Sequence, residues 1–342
     1  MKPQTTTDVR NLLRMYIASA ALGAALELGL FWRLAERPLG VKEVSQKFNI
    51  PFDRCQRWLE VLAGLELLEQ RGKTFSPSSI TYSTILETYS QESWAFIAQE
   101  ARVRYPAGTN LTLHISHPAS VWVAQGLEPP NWFTQIINSP KYAERFIRTL
   151  YDLHQPFAEK LAQTLDMTAV KHLMDLGGGS GVVSLALLNH YSDLTAVVVD
   201  IENVCSIGRE IANESHMVDR IIYYAADFLR DNLPTGFDMV LMCDVGPYTE
   251  ELFSKLRGTL NEGGRLVIIT NIDECSGWLA HSESKPSLPR LINVFLSSLA
   301  VSRVKTTTVG DVKNLLTKAR FHNVSEQIWD DGTVIVQAHN LD

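Results

Sequence analysis

The stretch LMDLGGGSG, Leu173 to Gly181, decides how the rest of the chain reads. An apolar run from Val170 to Leu176 brings one carboxylate, Asp175, into a turn made almost wholly of glycine. VVSLALLNHY follows, with apolar residues at helical spacing. Strand, glycine turn and helix in that order predict the first unit of a nucleotide-binding α/β sheet. Glycine is needed in such a turn because a sharply bent backbone must approach its ligand with no Cβ in the way. The helix N-terminus beyond it offers N–H groups to a polar or anionic ligand.

The spacing narrows the ligand. A dinucleotide fingerprint, G-x-G-x-x-G, needs glycine at position 182, where this chain has Val182; it reads G-x-G-x-G through Gly177, Gly179 and Gly181. A second strand, LTAVVVD, ends in Asp200, with Ile201 next to it. A carboxylate there suits the two hydroxyl donors of a ribose. A third strand, RIIYYAAD, ends in Asp227 and Phe228, an acceptor for an exocyclic amine and a ring to pack on a purine.

On these residues the chain resembles the S-adenosylmethionine-dependent small-molecule O-methyltransferases of plants and bacteria, along nearly its whole length. The resemblance implies an α/β fold, in which a Rossmann-like seven-stranded class I methyltransferase domain follows a helical, winged-helix dimerisation domain. It implies that the Gly177–Gly181 loop and Asp175 hold the methionine end of the cofactor, that Asp200 and Ile201 meet the ribose, and that Asp227, Phe228 and Cys243 complete the cofactor site. The implied domains are residues 1–100 for dimerisation, 101–165 for connector helices lining the acceptor pocket, and 166–342 for cofactor binding.

Composition agrees with an ordinary globular protein. Of 342 residues, 45% are hydrophobic and 20% charged, enough for a large core. A net charge of −7 speaks against broad nucleic-acid binding. Cys55, Cys205, Cys243 and Cys275 form neither a C-x-x-C pair nor a metal-ligand spacing, which points to a reducing, cytoplasmic setting with no metal site. MYIASAALGAALELGLF has the small apolar residues of a signal peptide, but Glu27 interrupts it and the pattern runs on to Trp32 and Leu34. One long helix over 8–35, capped by Asp8, is the better reading, and no membrane span is expected.

Two short helices and a hairpin follow Pro38, a DNA-binding shape in which Arg54 and Arg57 would meet the nucleic acid. The second helix instead turns Trp58, Leu59, Leu62 and Leu65 inward and carries Glu60, Glu66 and Glu69, with no basic stripe. In the resembled family this segment makes a homodimer. Further on, Trp122, Trp132 and Phe133 either line a substrate pocket or fill a domain junction. PKYAERFIRTLYDLHQPFAEKLAQTLDM is an amphipathic helical region, and the resemblance makes Phe146, Tyr151 and His154 candidates for the acceptor pocket. Trp278 and Asn293, in a helical insertion after the fifth strand, are further candidates. Asp331-Gly332 marks a closing hairpin of two edge strands.

The catalytic residues depart from the family pattern. Methyl transfer is an in-line displacement, so the protein chiefly positions the acceptor and excludes water. A hydroxyl acceptor must also lose a proton, and the family uses a histidine after the fourth strand, held by two glutamates. Here that region reads VLMCDVGPYTEE, and no histidine lies between His216 and His281. The glutamate positions align with Thr270 and the neighbourhood of Val304. Tyr248, His281 and Asp244 are the candidate catalytic residues, with Cys243 titratable beside them. Two functions stay open: methyl transfer to an oxygen, carbon or nitrogen of a small aromatic or conjugated secondary metabolite, or a non-methylating pericyclic or elimination reaction that uses the sulfonium charge.

Overall fold

The computed structural model describes residues 3–271, 279–280, 288–300, 307–329 and 332–341. The chain divides into two compact units, Met1–Gly108 and Thr109–Asp342. The stretch 101–165, expected as connector helices, is divided between them, and from Thr109 onward it belongs to the second unit.

In the first unit, the long helix expected over 8–35 is three helices: Thr6–Leu12, Met15–Glu27 and Leu30–Glu36. The second and third meet at 59°. Gly29 makes that bend in the left-handed region at φ +71°, where a side chain would be strained. Thr5, not Asp8, caps the first helix, and Asp8 returns the bond three residues on to complete a capping box. The next helices are Val41–Phe48 and Phe52–Gly64. The latter stops at Gly64 rather than running to Gln70, because Leu68–Arg71 pairs with Thr74–Pro77 as the hairpin. Leu59 and Leu62 are fully buried, whereas Arg57 lies exposed and paired with Glu60 at 2.7 Å. No single described helix is long and apolar enough to cross a membrane; the bent pair Met15–Glu27 and Leu30–Glu36 meets that test only by joint length and composition.

The second unit is built on a seven-stranded sheet. Its strands, numbered along the chain, are β1 (His172–Leu176), β2 (Thr195–Asp200), β3 (Ile221–Ala225), β4 (Phe237–Cys243), β5 (Leu260–Asn271), β6 (His322–Ile328) and β7 (Thr333–His339). Their order across the sheet is β6-β7-β5-β4-β1-β2-β3. Strands β1 to β5 are parallel, and β7 runs antiparallel to both neighbours. Parallel strands covered on both faces need continuous apolar runs, which Met239–Met242 and Val267–Ile269 supply at 1% exposure or less. The helices Pro140–Thr164, Val182–His190 and Glu202–Glu214 pack on one face, and Glu250–Arg257 and Val309–Lys318 on the other. The closing hairpin forms, but of its two strands only β6 lies at an edge of the sheet. Val334, Ile335 and Val336 are buried, so β7 sits inside the sheet, while β6 stays largely exposed.

The strand order reverses between β1 and β4. Crossovers leave that point in opposite directions and open a crevice outside the carboxyl ends of the two strands. The glycine turn follows β1, and Cys243-Asp244 follow β4.

Candidate functional site

The glycine turn is shaped from within and from below. Gly177, Gly179 and Gly181 have φ of +65°, +60° and +76°. Gly177 N–H donates to Val199 O at 2.7 Å and Gly181 N–H to Gly178 O at 2.8 Å. Gly178 lies outside the G-x-G-x-G spacing, yet it has its own reason to be glycine. A Cβ there would stand 2.5 to 2.8 Å from the three carboxyl atoms of Asp175.

Asp175 thus lies directly under the turn, 1% exposed. Its Oδ2 accepts from Ser184 Oγ at 2.7 Å, and Oδ1 is buried with no hydrogen-bond partner among the described residues. Asp200, half-buried at the end of β2, clasps the turn from the side. Oδ2 accepts from Gly179 N–H at 3.0 Å and Oδ1 from Ile201 N–H at 2.8 Å. Burial pushes the Asp200 carboxyl up to about 6, against the two backbone donors that lower it. Burial likewise raises Asp175 to about 6, opposed by Ser184 and assisted by the charge of Asp200.

These shifts give a paired pH dependence. Both carboxyls bind protons more tightly folded than unfolded, so across about pH 4 to 6 the folded chain holds more protons. Their contribution to stability therefore rises as pH falls through that window and is smallest at neutral pH. If Asp200 meets a ribose as the sequence leads one to expect, cofactor affinity should run the other way, because ribose hydroxyls would donate to its ionised form. Between about pH 7.5 and about pH 5 the dissociation constant for S-adenosylhomocysteine should rise, and Asp200→Asn should flatten that profile in calorimetric titrations.

Asp227 and Phe228 follow β3 in a tight turn. Asp227 Oδ1 accepts from Leu229 N–H at 3.0 Å, and its own N–H donates to Asp231 Oδ2 at 2.8 Å. Lys255 binds the same loop from the other face of the sheet, donating to Phe228 O at 2.9 Å and to Asp231 O. Phe228 is half-buried against the core of that face. Asp175, Asp200, Asp227 and the glycines thus gather at the carboxyl ends of β1, β2 and β3, as the cofactor reading requires.

The candidate catalytic residues are not gathered in the same way. Tyr248 is 8% exposed and stacks on Phe253 at 6.1 Å between ring centroids, within the core on the second face. The chain turns into the helix Glu250–Arg257 immediately after it, and that drives its ring inward. Cys243 ends β4, and burial, with the carboxylates of Asp175 and Asp244 nearby, pushes its thiol well above the usual range. It remains a thiol at neutral pH. Asp244 is exposed, left-handed at φ +52°, with its N–H bonded to Ile269 O at 2.8 Å. Thr270, in the first glutamate position, donates Oγ1 to Asp244 Oδ1 at 3.4 Å. His281, Trp278 and Val304 lie outside the described residues.

The acceptor candidates lie mainly on the first face. Phe146 is stacked on Trp132 at 5.7 Å with planes 2° apart, and on Tyr142 at 6.0 Å. Trp132 is 49% exposed, whereas Trp122 is buried and fills the core. Asn203, just past Asp200, donates to Ile136 O at 3.0 Å and Ile137 O at 2.9 Å. The helix Trp132–Asn138, which carries Trp132, is thereby tied to the helix Glu202–Glu214, which starts just past Asp200. Tyr151 and His154 are half-buried on the helix Pro140–Thr164, and Tyr151 packs into the first-face core. Asn293 is exposed on the helix Leu288–Ala300. Sequence reasoning missed Gly178, Ser184, Asn203, Tyr223 and Gly208, whose roles depend on residues distant in the chain.

Comparison with known proteins fits this geometry. A family model of the O-methyltransferase domain matches residues 120–322, and one of the O-methyltransferase dimerisation domain matches residues 10–84. The chain is similar to the N,N-dimethyltransferase OxyT of Streptomyces rimosus, 28% identical over 272 residues covering 76% of this chain and 78% of the relative. It is also similar to the 3-hydroxy-5-methyl-1-naphthoate 3-O-methyltransferase of Streptomyces sahachiroi, 28% identical over 221 residues, 65% of this chain and 63% of the other. In fold it matches the crystal structure of human N-acetylserotonin methyltransferase in complex with SAM, with a TM-score of 0.76, 21% identity and 99% of each chain covered.

Proposed function

Because the chain belongs to the O-methyltransferase family and is an S-adenosylmethionine-dependent methyltransferase of secondary metabolism, we propose that its acceptor is a hydroxyl or amine on a small aromatic or conjugated metabolite. The observation that carries this reading is the Trp132–Phe146–Tyr142 stack, whose Trp132 lies on a helix bonded by Asn203 to the helix that follows Asp200. Flat apolar faces there suit a flat apolar acceptor. OxyT and the naphthoate enzyme, by their names, methylate nitrogen and oxygen respectively, so both atoms remain in the proposal.

The residues present fit the cofactor. The Gly177–Gly181 loop and Cys243 would hold its methionine end, with Asp175 supporting the loop from beneath and not reaching the ligand, Asp200 and Ile201 its ribose, and Asp227 and Phe228 its adenine. Bound there, S-adenosylmethionine supplies a methyl group already activated by the sulfonium. The protein's own work is to orient the acceptor, exclude water and receive a proton. Among the described candidates Asp244 is suited to receive that proton, since it is exposed at the switch point, while Tyr248 is in the core and Cys243 holds its own proton. Its left-handed backbone, held through Ile269 O, keeps the carboxylate in place. The exposed apolar residues Val9, Leu12, Leu13, Tyr16 and Ile17 of the N-terminal helices support a homodimer, since a second copy would cover them.

The test is formation of S-adenosylhomocysteine with a panel of phenols, naphthols and aromatic amines. Methylated product should appear with an aromatic acceptor and not with aliphatic alcohols of similar size. Asp244→Asn should lower kcat by about a hundredfold with the cofactor KM unchanged. Turnover of S-adenosylmethionine with no methylated product would overturn the methyl-transfer reading, and an unaltered kcat would remove Asp244 from it.

A further inference from the structure

Tyr223, in the middle of β3, stands beneath the glycine turn, although no ligand position depends on it directly. Its hydroxyl donates to Ser180 O at 2.8 Å, and the residue is 6% exposed. Two glycines make room for it. A Cβ on Gly181 would lie 2.4 Å from the Tyr223 hydroxyl oxygen, and one on Gly208 would lie 2.1 Å from the ring carbon Cε1. The ring is therefore wedged between the helix Glu202–Glu214 and the last residues of the turn.

The contact fixes one particular peptide unit. Ser180 C=O and Gly181 N–H belong to the same plane; the first points down to Tyr223, and the second bonds Gly178 O. With both ends held, that plane cannot rotate, and the helix Val182–His190 starts from it in a set direction. Burial, with Asp175, Cys205 and Tyr151 adding to it, pushes the Tyr223 phenol further up from a value already alkaline. The hydroxyl is therefore protonated and free to donate at neutral pH.

We propose that Tyr223 is a positioning residue for the cofactor: it sets the height and orientation of the glycine turn through the Ser180 carbonyl, with Gly208 and Gly181 kept small to admit its ring. The mechanism is indirect, since the hydroxyl is used up beneath the turn and acts only through where it holds the backbone. Its effect falls on the cofactor and not on the acceptor.

Tyr223→Phe keeps the ring and removes only the hydroxyl. The dissociation constant for S-adenosylhomocysteine and the KM for S-adenosylmethionine should both rise, by about threefold to tenfold, the range for one lost hydrogen bond. Acceptor KM and kcat at saturating cofactor should be unchanged. Gly208→Ala should weaken cofactor binding more strongly, by pushing the ring into the turn. In a Tyr223→Val background the same alanine should cost little, because the ring it meets is gone. Wild-type affinity in Tyr223→Phe would overturn the proposal. So would equal losses of cofactor and acceptor affinity, which would mark a general loosening of the fold.

Discussion

Gly178→Ala is expected to abolish measurable binding of S-adenosylhomocysteine while leaving the chain folded. The added methyl group would sit 2.5 Å from Asp175 Cγ, closer than any relaxed contact. Asp175 cannot give way easily, for it is 1% exposed and bonded to Ser184 at 2.7 Å. The turn must rise instead, and the Gly177 and Gly179 bonds to Val199 O and Asp200 are stretched with it. Overpacking of this kind costs about 1 to 3 kcal/mol. In a unit this large, that corresponds to a fall in Tm of roughly 2 to 12 °C. The loss of binding should be far larger than the loss of stability suggests, since a displaced turn misplaces several ligand contacts at once. Calorimetric titration and a thermal melt of the same sample separate the two. Gly178→Ala binding with near-native affinity would mean that Asp175 moves freely, and the account of a rigid carboxylate floor would fail.

Asp200→Ala should weaken cofactor binding by about a thousandfold, the loss expected when two hydrogen bonds to a charged acceptor disappear. Stability of the ligand-free protein should change little. The burial that raises this carboxyl to about 6 shows that keeping it charged is costly, and the Gly179 and Ile201 donors offset part of that cost. Removing the side chain removes both the cost and the offset. A variant that stays folded but cannot bind S-adenosylhomocysteine therefore assigns Asp200 to the ligand. Retained affinity would break the ribose assignment and, with it, the reading of the second strand end.

Much of this site was legible because it rests on short-range pattern. Asp175, the three left-handed glycines, Asp200 and Asp227 lie at or just past strand ends, and buried parallel strands write themselves as apolar runs. The N-terminal helices were less legible. Ala- and Leu-rich sequence continues through Leu28 and Gly29, so periodicity showed one helix where the backbone is interrupted twice. Past Gly64 the apolar pattern reads on as helix, but pairing with Thr74–Pro77 makes it a strand. The place of β7 inside the sheet, and not at its edge, was equally hidden, because it depends on pairing with β5.

By itself the sequence determined the alternation of strands and helices in the second unit, the class of cofactor and the carboxylates at the strand ends. These follow from local geometry: a turn without side chains, an acid at a strand end, a period of two or of 3.6. Tertiary structure alone decided which neighbours those residues have. It put Tyr248 in the core, left Asp244 exposed beside Thr270, set Asp175 under Gly178 and wedged Tyr223 between two glycines that are 27 positions apart in the chain. Such contacts depend on how separate elements pack, and close packing is a property of the assembled layers that no single segment encodes.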